Sequence, residues 1–98
     1  MTTITRIFRV KVNADLCDEF EPLFQSVSLA SVNEAPGFIE ATIGKPTQWA
    51  PYEYVMISVW KDEQSLIDFA GTDWNIAHIP EGMEHFVDEC WVHHYHSF

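Results

Sequence analysis

Along the first dozen residues apolar and polar side chains alternate. Ile4, Phe8, Val10 and Val12 share one face, and Thr5, Ile7, Arg9 and Lys11 share the other. A period of two with many β-branched residues predicts a strand, and it leaves Arg6 as a charge on the apolar face. The period then changes. Leu16, Phe20, Leu23, Phe24, Val27 and Ala30 or Ser31 recur at helical spacing, and Asn13 or Asp15 is placed to accept a backbone N–H as the cap. Pro22 falls inside this stretch; lacking an N–H and clashing with the preceding turn, it predicts a kink or a late start. Ala35-Pro36-Gly37 ends the helix, because a residue before proline is pushed out of the α region and glycine permits the turn.

Phe38 to Ile43 reads as a second strand, and Tyr52 to Trp60 as a third; residues 44–51, with two prolines, form the loop between them. Asp62 caps a second helix whose apolar residues are Leu66, Ile67 and Phe69, and Gly71 weakens or ends it. Trp74 to Ile79 has room for a helical turn or two before Pro80 and Gly82 break it, and Phe86 to Tyr95 is a closing strand. The order is βαββαβ. It predicts an α+β, ferredoxin-like fold in which a four-stranded antiparallel sheet carries two helices on one face, as one domain over residues 1–98.

The third strand also predicts an assembly. Glu53, Val55, Ile57 and Val59 lie on one side and Tyr54, Met56, Ser58 and Trp60 on the other, so both faces are largely apolar. Helices cover one of them. Two sheets packed face to face would cover the second, giving a homodimeric α/β barrel with helices outside.

Composition narrows the partners. Five basic against fifteen acidic residues give a formal charge of −10, with no Lys/Arg stripe for phosphates, so neither nucleic acid nor an anionic membrane is expected as a partner. A neutral or aromatic small molecule fits that charge better, and the chain is 14% aromatic. Cys17 and Cys90 are isolated, without a CxxC pair, which points to packing roles in a reduced, cytoplasmic setting. The opening MTTITRIFRVKV has neither the apolar core of a signal peptide nor the length of a membrane span. Phosphate-cradling glycine loops, dinucleotide fingerprints and a Ser-His-Asp order are all missing, which removes support for kinase and hydrolase readings.

Two segments carry a family resemblance: APGF (35–38) after the first helix, and YVMISVWKDEQSLIDFAGTDWNIAH (54–78), where a strand ends in Trp-Lys, an acidic helix start follows, and a His lies near the end of the second helix. With the closing aromatic strand, the chain resembles the antibiotic biosynthesis monooxygenase family over nearly its whole length. The resemblance implies a dimeric α/β barrel with a pocket between the sheet and the second helix. It also implies cofactor-free oxidation of an aromatic polyketide, heme degradation, or no assigned activity. The heme-degrading branch uses an Asn on the first strand, a Trp on the helix and an iron-ligating His after it. Here His78 matches the ligand, but Phe69 stands in place of the Trp, and the inward positions of the first strand are Arg6 and Phe8.

His78 is the expected catalytic residue, as a general base or a heme ligand, with Trp74 about one helical turn before it; a hydrogen-bonded histidine complementing a helix end is the alternative. Phe69, Trp60, Tyr54, Arg6 and Phe8 are the expected pocket lining. Arg6 needs a carboxylate, Glu40 or Glu53, or a ligand oxygen to offset its desolvation. His78, Glu81 and His85 have metal-ligand types, but Pro80 and Gly82 break the spacing a helical pair needs, so no metal is assigned and Glu81, Glu84 and His85 are given to the joint before the last strand. On that strand His94 and His96 share a face opposite His93, a His-x-His pair that reads as a solvated strand end or a divalent-ion site. The functional reading is a small monooxygenase for an aromatic or polyketide-like substrate, with heme or no cofactor. The alternative is a non-catalytic, dimeric small-molecule-binding or stress-related protein using the same pocket.

Overall fold

A computed structural model describes residues 2–77, 79 and 81–98; His78, the expected catalytic residue, and Pro80, the expected helix breaker, lie outside the described residues. The strands are β1 (Ile4–Val12), β2 (Phe38–Gly44), β3 (Glu53–Trp60) and β4 (Val87–His96), all paired antiparallel in the order β2-β3-β1-β4. The alternation seen in β1 is kept in three dimensions: Ile4, Arg6, Val10 and Val12 are buried while the residues between them are half-exposed. In β3 the buried set is Tyr54, Met56, Ser58 and Trp60.

Three helical segments supply the opposing layer: α1 (Cys17–Leu23), α2 (Leu29–Asn33) and α3 (Glu63–Ala70). Asn13 accepts from the Asp15 N–H at 3.0 Å and caps a 3₁₀ turn, Ala14–Leu16, that leads into α1. Pro22 neither ends the helix nor delays it. Instead α1 runs through Pro22 into a π-helical turn, Phe24–Ser28, and continues as α2. The Ser26 hydroxyl donates to the Pro22 carbonyl at 3.0 Å and to that of Leu23 at 3.3 Å, giving local carbonyls a side-chain donor. A π turn adds one residue and so rotates everything after it about the helix axis. The apolar stripe expected through Val27 and Ala30 or Ser31 is therefore shifted: Phe20, Phe24 and Val32 are buried, while Leu23 and Val27 face outward.

Asp62 caps α3 as expected, its carboxylate accepting from the Ser65 N–H at 2.8 Å and the Ser65 hydroxyl at 2.7 Å. Those bonds hold its pKa below the ordinary carboxylate value. Gly71, at φ 94°, ends the helix. Residues 72–76 form turns in place of the expected helical turns, closed by an Ile76 N–H to Asp73 carbonyl bond of 2.9 Å. The core joins the inward faces of β1 and β3 to Phe20, Phe24, Val32, Leu66 and Phe86. Across the sheet, Ile57 and Tyr95 are exposed, and Arg9 meets Glu53 at 3.8 Å. Among the described residues no helix is long and apolar enough to cross a membrane.

Candidate functional site

Between the helical layer and the sheet lies a cavity of about 310 Å³. Its floor is Arg6 and Phe8 of β1 with Met56 and Ser58 of β3. Its walls are Ser28 of the π turn, Ser31 and Val32 of α2, and Phe69 and Ala70 of α3, with Ile79 from the following loop. After the π turn Ser28 and Ser31 line the cavity while Val27 faces outward. The volume sits at the lower end of the roughly 300–1,000 Å³ typical of small-molecule sites.

Three of the expected lining residues, Arg6, Phe8 and Phe69, are gathered here. Trp60 and Tyr54, also expected in the lining, are not among the residues that line this cavity; Trp60 is 0% exposed and Tyr54 1%. Trp60 stands behind the wall, its ring 4.9 Å from that of Phe69 and 5.7 Å from that of Phe38, with its indole N–H donating to the Ser58 hydroxyl at 3.0 Å. Tyr54 borders a second, smaller depression and donates its hydroxyl proton to Glu21 at 2.8 Å. Burial, then that bond, raises its pKa, so it stays a neutral phenol.

Arg6 is 9% exposed. Its partner is neither Glu40 nor Glu53. Nη1 donates to the Trp74 carbonyl at 2.9 Å and to His94 Nε2 at 3.0 Å. Because a guanidinium only donates, Nε2 must be the acceptor and the imidazole proton must sit on Nδ1. Burial first, then the charges of Arg6 and His93, push the His94 pKa down to about 4, so the ring is neutral near pH 7. The Trp74 ring stands edge-on to His94, with centroids 4.5 Å apart. Trp74, expected as a catalytic indole, thus contacts the site by its carbonyl and by packing His94 against Arg6.

His94 is the residue that sequence reasoning underrated. Alternation from the buried Val92 put it on the inner face, but only the β1–β4 register sets it opposite Arg6. It does not pair with His96, whose imidazole lies 3.7 Å from Glu63. Among the described residues no three His, Cys, Asp or Glu side chains gather as a metal site. Glu84 accepts from the Gly82 N–H at 2.9 Å and His85 packs on Phe86, both within the joint before β4.

A family model described as antibiotic biosynthesis monooxygenase matches residues 3–86. No curated protein matches the sequence. Solved structures share the fold. A protein of Shewanella oneidensis superposes with a TM-score of 0.77 at 12% identity, over 98% of this chain and 91% of that one. The heme-degrader MhuD of Mycobacterium tuberculosis, with two hemes bound, gives 0.73 at 18% identity, over 96% and 94%. A mutant form of SnoaB from Streptomyces nogalater, a cofactor-independent oxygenase, gives 0.67 at 20% identity, over 95% and 90%.

Proposed function

Because the chain belongs to the antibiotic biosynthesis monooxygenase family, we propose that it is a small monooxygenase whose cavity takes a compact aromatic or polyketide-like substrate. The observation that carries this reading is the cavity itself, which is walled by Phe8, Val32, Met56, Phe69, Ala70 and Ile79 and has a few polar groups. In the proposed reaction a base removes a proton from a carbon activated by a neighbouring carbonyl. The resulting carbanion gives its electrons to O₂, and the hydroperoxide formed loses water to leave a new carbonyl. One oxygen atom ends in the product and one in water, so the substrate supplies all the electrons. We assign the base to His78, whose chain neighbour Ile79 lines the cavity. The apolar walls would exclude bulk water from the carbanion.

Heme has less support. Among the described lining residues Met56 alone is of an axial-ligand type, and His78, the expected iron ligand, lies outside the described residues. The strand-one Asn and helix Trp of the heme-degrading branch are Arg6 or Phe8 and Phe69 here.

Oxygen uptake with anthrone-like substrates tests the proposal. The wild type is expected to consume oxygen and His78→Ala to lose about 10²- to 10⁴-fold in rate. Ligand binding with no uptake from any such substrate would instead support a non-catalytic binding protein. The exposed Ile57 and Tyr95 on the helix-free face support a second proposal, a homodimer joined sheet to sheet. Light scattering on the eluting protein is expected to give twice the 11.3 kDa chain mass, and a clean monomer would refute it.

A further inference from the structure

A buried arginine normally meets a carboxylate, since taking a cation out of water is costly unless an opposite charge offsets it. Arg9, on the outer face of the same strand, has Glu53. Arg6 differs. Among the described residues both of its protein hydrogen bonds leave from Nη1, and both acceptors, the Trp74 carbonyl and the His94 imidazole, are uncharged. A guanidinium has five N–H donors, so two are used and those on Nε and Nη2 have no protein acceptor among the described residues. The same side chain lines the cavity, whose other described lining residues carry no charge. His94 and Trp74 hold one end of the fork without neutralising it.

We propose that Arg6 is the anion anchor of this cavity, and that its ligand is an aromatic ring bearing an ionised oxygen: a phenolate, an enolate or a carboxylate. The inference rests on the oxygenase reading only in placing the substrate in this cavity. A planar fork matches two oxygen lone pairs, and an ion pair formed in a site with apolar walls is stronger than the same pair in water. A cavity of about 310 Å³, at the lower end for small-molecule sites, suits a compact ligand of one or a few fused rings.

The test uses two unreactive probes of one shape, 2-naphthoate and the neutral 2-naphthamide. Each is titrated by calorimetry into wild type, Arg6→Met and Arg6→Lys. The wild type is expected to prefer naphthoate by about tenfold or more. Arg6→Met should weaken naphthoate about ten- to a hundredfold while leaving naphthamide within about threefold, and Arg6→Lys should fall between, because lysine keeps the charge but not the fork. Should Arg6→Met fail to fold by circular dichroism, the wild-type preference and Arg6→Lys decide. Equal binding of the two probes by wild type, binding of neither, or equal weakening of both in Arg6→Met overturns the proposal. The preference for the anion without oxygen uptake would sink only the oxygenase reading, and uptake without that preference would sink only this one.

Discussion

Trp60→Ala is expected to lower the unfolding free energy by about 3–5 kcal/mol, the range for emptying a large aromatic site in a core. Trp60 is 0% exposed and anchors both the core and the wall of the cavity. Its removal deletes the ring against which Phe38 and Phe69 pack and takes away the donor held by the Ser58 hydroxyl, itself 1% exposed. A domain of this size has about 5–15 kcal/mol in total, so the variant should unfold at much lower urea and sit close to its limit. Trp60→Phe keeps most of the apolar contact and loses the N–H, and should cost about 1–2 kcal/mol. Urea titrations followed by circular dichroism measure both. An alanine variant within about 1.5 kcal/mol of wild type would mean that the site collapses, or that the indole is less enclosed than described.

The second large effect is expected at Gly37. This residue follows Pro36 at φ 85°, a conformation that costs an L-residue roughly 1–2 kcal/mol. It also lies hard against the first turn of α3: a Cβ added there would overlap both the Oγ and the Cβ of Ser65. Ser65 is not free to withdraw, because its N–H and hydroxyl both bind Asp62. The Gly37 carbonyl in turn accepts from the Lys61 N–H at 2.8 Å, tying the end of β3 to this turn. Backbone strain and overpacking together predict a loss of about 2–4 kcal/mol for Gly37→Ala. Adding Ser65→Gly should recover the overlap part and leave the strain, giving a coupling of about 1 kcal/mol or more. Losses at the two sites that simply add would show that the close approach is relieved by a small shift of α3.

Much of the fold was legible because it depends on local spacing. Alternation identified β1 with its inward face and separated the two faces of β3 without deciding which is inward, and the Asp62 cap and the Gly71 stop followed from side-chain chemistry within one turn. The first helix was only partly legible. Its existence was clear, but the π turn after Pro22 changes the phase by one residue, and nothing in the spacing of Val27, Ala30 and Ser31 records that change. So Ser28 and Val32 reached the cavity wall unannounced, while Ser31 was one of the two positions read onto the inward stripe. Met56 and Ser58 were on the correct face of β3, yet alternation cannot say which inward residues meet a cavity and which meet a helix. Tyr54 and Trp60 were read as lining for that reason.

The sequence by itself determined the strand and helix order, the family and the anomaly of a cation on an apolar strand face, because each depends on residues close together along the chain. Only the tertiary structure decided what that cation meets. His94 is 88 residues away from Arg6, and their meeting is set by the β1–β4 register, which contains a shift between Lys11 and Val12. Register is fixed by bulges, turns and burial across the whole sheet, and a slip of one residue would send His94 to the other face and leave Arg6 a different neighbour.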